Sequence, residues 1–107
     1  MSKGWFILGL AVITEIIWAL SLKFVQSHPA RWLMAVPFLL TFVNMWLLSQ
    51  AMRYVPLGTA YAVWTGLGVV GVTIGGIVWF DDPVSLTRIV LLSVIAGCVV
   101  GLKLTTT

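Results

Sequence analysis

Long stretches without a formal charge constrain this chain more than any other feature. One runs from Trp32 to Met52, another from Tyr54 to Phe80 and a third from Ile89 to Leu102, while the first, Gly4 to Leu22, is broken only at Glu15. A bilayer-spanning helix needs about 20 apolar residues. The runs predict an all-α membrane protein with four transmembrane helices over residues 4–23, 32–52, 57–80 and 84–103, forming a single domain. The last run has only 14 uncharged residues, so its span reaches back to Val84 and lets Arg88 and Lys103 snorkel to the interfaces. Pro29, Pro56 and Asp81-Asp82-Pro83 fall between the spans, where a helix has to stop or bend.

Composition narrows the function classes. With 61% hydrophobic and 8% charged residues, the chain is too continuously apolar for one small soluble core. Its net charge of +3 is six basic residues against three acidic, and the basic ones are spread singly over loops and helix ends rather than in the clustered patch that phosphate tracking needs, so no nucleic-acid partner is expected. Cys98 is the only cysteine, which leaves no intrachain disulfide and no cysteine-rich metal site. His28 stands beside Pro29 in a loop and reads as solvated. Without a nucleophile–base pair, a phosphate-binding glycine loop or a metal cluster, the reading is not an enzyme, with no cofactor and no metal. The first apolar segment follows a short basic start but carries Glu15 and Trp18 and offers no small-residue cleavage site, so it is expected to be a retained helix rather than a signal peptide.

Four spans put both ends of the chain on one side of the membrane. Lys3, Arg53 and Lys103 then share one face and Lys23, Arg31 and Arg88 the other, three against three. The Lys/Arg asymmetry that orients membrane proteins is missing, and either orientation should insert about equally well. Dual topology is the expectation.

Of the three acidic residues, Asp81 and Asp82 lie in a turn that water can reach, whereas Glu15 lies at membrane depth. An ionised side chain at a helix centre costs about 2.5 to 3.5 kcal/mol on insertion scales, so such a residue faces a polar cavity and marks a proton or substrate path. Helical spacing places Leu8, Ala11, Val12, Trp18, Ala19 and Leu22 on its face. In the third span, GTAYAVWTGLG (residues 58–68), Tyr61, Trp64 or Thr65, and Gly68 fall near one face. Aromatic rings attract a cation by about 0.5 to 2 kcal/mol, and a carboxylate adds the countercharge. Trp18 and Trp64 are the aromatic ligand candidates; Trp5, Trp32 and Trp79 lie near span ends and read as interfacial anchors in contact with lipid. Gly66 and Gly68 weaken local helix rigidity and predict a bend. Ser93, Gly97 and Gly101 repeat every four residues, a pattern that lets two helices pack closely, and predict a dimer contact. A partner is also expected because one such chain can hardly enclose a hydrated cavity and seal it from both sides.

TEIIWALSLK, GTAYAVWTGLG and the closing GLK at residues 101–103 together resemble the small multidrug resistance family of proton-coupled cation exporters, over essentially the whole length. The resemblance implies an antiparallel homodimer, or a pair with a homologous partner chain, in the cell (inner) membrane. It makes Glu15 the site for which protons and a small organic cation compete, with Trp18 and Tyr61 positioning the glutamate, Trp64 stacking and Asn44 as the second-span polar contributor. Trp18 and GLK resemble the guanidinium-exporter subtype more than the quaternary-ammonium one. That subtype usually has glycine where this chain has Val12 and serine where it has Asn44, so a broader multidrug cation exporter stays open as the alternative.

Overall fold

The computed structural model describes residues 2–105. Four helices follow one another: α1 (Ser2–Gln26), α2 (Ala35–Ala51), α3 (Leu57–Phe80) and α4 (Leu86–Thr105), with a 3-10 turn over Arg31–Met34 leading into α2. Each is long and apolar enough to cross a bilayer once that turn is counted with α2, giving candidate spans of 24, 21, 24 and 20 residues. The chain is a multi-pass membrane protein. Observed ends differ from the predicted spans by up to three residues. At α2 the cause is local: the entry is wound as a 3-10 turn, and Pro37 occupies the first α-helical turn, where its missing N–H leaves no hydrogen bond unmade.

Side-chain pairs fix how the helices run. From Glu15 with Asn44 to Trp18 with Thr41, an advance of three residues on α1 is matched by a retreat of three on α2, so these two are antiparallel. Helix α3 returns alongside α1 in the same direction, because Glu15, Ile16 and Leu20 meet Gly68, Gly71 and Gly75 in order. A Cβ on Gly68 would lie 3.1 Å from Glu15 Cγ, one on Gly75 2.8 Å from the Leu20 methyl groups, and one on Gly71 would collide with Ile16. Bare backbone along α3 is therefore the surface on which the large α1 side chains rest, and close packing is a main source of helix association in lipid.

Leu8, Ala11, Leu48, Ala51, Val55, Ala60, Val63 and Val99 form the buried cluster, gathered toward the end where α1 and α3 begin. Helix α4 lies at the edge. It packs against α3, where Val99, its one buried residue, fills the place that a side chain on Gly66 would take. Its far end reaches α1 through the Lys103 ammonium, 5.4 Å from the Trp5 ring centroid. Helix α3 is unbroken through Gly66 and Gly68, and both glycines have a packing role within the chain.

Candidate functional site: an intramembrane carboxylate

Glu15 is half-buried midway along α1, between α2 and α3. Its Oε1 accepts a hydrogen bond from Asn44 Nδ2 at 2.7 Å. Asn44, 2% exposed, is the buried polar residue of the core. On its other side the amide oxygen accepts from Trp64 Nε1 at 3.2 Å. An indole nitrogen can only donate, so Trp64 must meet the amide oxygen, and that fixes the amide with its NH2 aimed at the carboxylate. Three helices thus supply a directed chain of bonds, Trp64 to Asn44 to Glu15. The distance of 2.7 Å lies at the short end for N–H···O, as bonds to a carboxylate do.

Gly68 completes the wall. Its bare Cα faces the glutamate stem, and a Cβ there would also come within 3.9 Å of Oε2. The partner of the carboxylate is a neutral amide rather than a cation, which leaves its negative charge to be matched by something arriving. A carboxylate offers about four lone-pair positions, so Asn44 occupies a minor share.

Trp18 lies one helical turn from Glu15, but its indole donates to Thr41 Oγ1 of α2 at 2.8 Å, and Thr41 passes its own hydrogen to the Pro37 carbonyl at 2.9 Å. Tyr61 stands half exposed on α3, its ring tilted 43° to that of Trp64 with centroids 5.4 Å apart. Asn44 and Gly68 are therefore brought directly to Glu15, Trp64 reaches it through Asn44, Trp18 stands one turn along α1 with its indole turned to Thr41, and Tyr61 lies beside Trp64. Thr41 is the member that sequence reasoning missed; the one signal was a hydroxyl on the second span, three residues before Asn44. Val12 is buried one turn before Glu15. Among the described residues no group of three or more His, Cys, Asp or Glu side chains is arranged to hold a metal.

The groove beside α4 is not this site. About 370 Å3 in volume, it opens between α1, α3 and α4, is lined by residues such as Leu8, Val12 and Leu67, and ends at Lys103 without including Glu15. It is almost wholly apolar, whereas ion chemistry needs the countercharge that Glu15 carries.

An apolar four-helix membrane protein with one carboxylate held at membrane depth by an amide and an indole is a narrow class. The family model of the Small Multidrug Resistance protein matches residues 3–95, and the chain belongs to that family. It is 46% identical over 105 residues to a guanidinium exporter of Yersinia pseudotuberculosis, covering 94% of this chain and 97% of the relative. A guanidinium exporter of Citrobacter freundii is 38% identical over 103 residues, covering 96% and 98%. An uncharacterized membrane protein of Bacillus subtilis, YvdR, is 42% identical over 105 residues, covering 95% and 96%.

Proposed function

We propose that the chain is a proton-coupled antiporter that exports small organic cations, guanidinium or substituted guanidinium ions above all. The observation that carries this reading is the company the carboxylate keeps: at membrane depth its hydrogen-bond partner is the neutral amide of Asn44, with an indole behind it. A proton and an organic cation are alternative ways to neutralise that charge in a low-dielectric setting, and they exclude each other. Exclusive occupancy couples the two flows. The names of the Yersinia and Citrobacter relatives support guanidinium as cargo. Two chains in antiparallel orientation, or this chain with a homologue, complete the cavity around Glu15. Open space around Gly97 and Gly101 on α4, together with the balanced cations, supports such a pair.

Asn44 and Val12 favour a second reading, a broader exporter of hydrophobic and quaternary ammonium cations. Asn44 stands between Trp64 and the carboxylate, and Val12 buries a branched side chain close to Glu15. The decisive experiment is proton flux in liposomes containing only this chain, driven by a guanidinium gradient. Glu15→Gln, nearly the same size but unable to ionise, should abolish both coupling and competitive cation binding. Antiport that survives this substitution overturns the proposal.

A further inference from the structure

Asp82 and Lys23 line a small cavity of about 230 Å3 together with Ala19, Val72, Gly76 and Phe80. Ala19 and Lys23 lie one and two helical turns beyond Glu15 on α1, as Val72 and Gly76 lie one and two turns beyond Gly68 on α3. Eight residues of helix span about 12 Å. The cavity thus lies on the same α1–α3 seam as the carboxylate, at the membrane surface, and between the two Ile16 and Leu20 pack against Gly71 and Gly75.

The end of α3 is built to hold Asp82 in this place. Asp81 takes the left-handed conformation, with φ 55°, and turns the chain back so that the Asp82 N–H bonds to the Gly76 carbonyl at 3.1 Å. The Asp81 N–H bonds to the same carbonyl, so Gly76 closes the helix C-terminus through both residues. The Asp82 carboxylate then lies against the bare Cα of Gly76, where any Cβ would collide with it. Arg88 Nη1 fastens the other side of the turn by donating to the Pro83 carbonyl at 2.7 Å. A carboxylate at a helix C-terminus faces the negative end of the macrodipole, so its location there costs stability and needs another reason.

We propose that this cavity is an outer capture site for a small organic cation on its way to Glu15, in which the exposed Asp82 supplies the countercharge and the exposed Lys23, on the opposite wall, competes with the cargo for it. The inference rests on the antiport reading above and adds a second, surface-level exchange to it. A cation leaving water meets Asp82 first, where Lys23 weakens its hold, and reaches the deeper carboxylate when the Ile16 and Leu20 side chains that fill the seam against Gly71 and Gly75 give way. In an antiparallel pair each side of the membrane receives one such mouth. Because the site is exposed, its effect is one of capture, screened by salt, rather than of tight binding.

The test is guanidinium transport by the full chain in liposomes, as a function of substrate and salt concentration. Asp82→Asn should raise KM by about fivefold at low salt while leaving kcat unchanged, and the difference should shrink at high salt. Asp82→Glu should retain most of the parental KM, and Lys23→Gln should lower it, so that the inference can be judged even if the asparagine variant folds poorly. A parental KM and salt dependence in Asp82→Asn and Lys23→Gln, with transport by the parent intact, overturns the capture site alone. A parent that moves no guanidinium overturns the antiport reading and this inference together.

Discussion

Replacing Asn44 by alanine tests the central geometry most directly. The substitution removes the donor to Glu15 at 2.7 Å and the acceptor of the Trp64 indole at 3.2 Å, at a position only 2% exposed to solvent. A hydrogen bond to a charged group contributes about 1.5 to 3 kcal/mol in soluble proteins, and a stranded buried donor costs about 1 to 3 kcal/mol. Interhelical bonds in membranes contribute less, about 0.6 kcal/mol on average and 1.7 at most. Both bonds here join helices within one bundle, so the membrane figures set the scale. Their joint loss should destabilise the bundle by about 1 to 3 kcal/mol.

A double-mutant cycle isolates the charged part. Glu15→Gln keeps an acceptor oxygen but not the charge, and charge-assisted bonds are about twice as strong as neutral ones, which puts the coupling between Asn44→Ala and Glu15→Gln at about 1 kcal/mol. Denaturant-induced unfolding of detergent-solubilised protein at a pH where Glu15 is ionised would measure it, with guanidinium affinity read in parallel. If the effects of the two substitutions simply add, and Asn44→Ala leaves cation affinity unchanged, Asn44 is only helix glue and the directed chain from Trp64 to Glu15 has no role.

Trp64→Phe keeps the ring but removes the indole donor, and should weaken guanidinium binding while unfolding at slightly lower denaturant; unchanged affinity would show that the Asn44 amide needs no external anchor. Gly71→Ala drives a methyl into Ile16 and should cost about 1 to 3 kcal/mol in the same unfolding assay, more than Gly97→Ala, which meets open space within the chain. Two lysines added to one end should lock the chain into a single orientation in accessibility labelling and lower activity when it is expressed alone; a parent that already inserts one way only contradicts dual topology. Asn44→Ser combined with Val12→Gly should sharpen discrimination for guanidinium against quaternary ammonium ions in a competition series, and an unaltered substrate ranking would remove both residues from selectivity.

The spans were legible because a bilayer imposes its thickness on the sequence: charge-free runs of the needed length leave little choice of element. Their ends were less so, since the 3-10 entry to α2 and the three further residues of α1 beyond Lys23 depend on local hydrogen bonds that leave no hydropathy signal. Glu15 stood out for a similar reason, as a charge where charge is costly. Periodicity put Trp18 on its face, and both side chains bond to α2, but it could not foresee that Thr41 takes the indole hydrogen, because register between helices is a tertiary property. Gly66 and Gly68 illustrate the same limit. Glycine in a helix reads as flexibility from the sequence, whereas the fold uses these two for the approach of Val99 and of Glu15.

That use of Gly68 bears on how the site can work. Any side chain there would press on the glutamate stem, so the position of the carboxylate is set by close contact with α3 as well as by the Asn44 bond from α2. Occupancy of Glu15 is then mechanically linked to both neighbouring helices. Under the proposed antiport, a cation replacing a proton would return the charge to the carboxylate, and its contacts with Asn44 and Gly68, both of about 3 Å, are where α2 and α3 would meet that change. Helix α4 contributes no residue to this constellation and buries only Val99 against the rest. Its separation from the site leaves its outward face, including Gly97 and Gly101, free of the carboxylate's contacts, and under the proposed antiport α4 would serve the contact between the two chains while α1, α2 and α3 carry the cation.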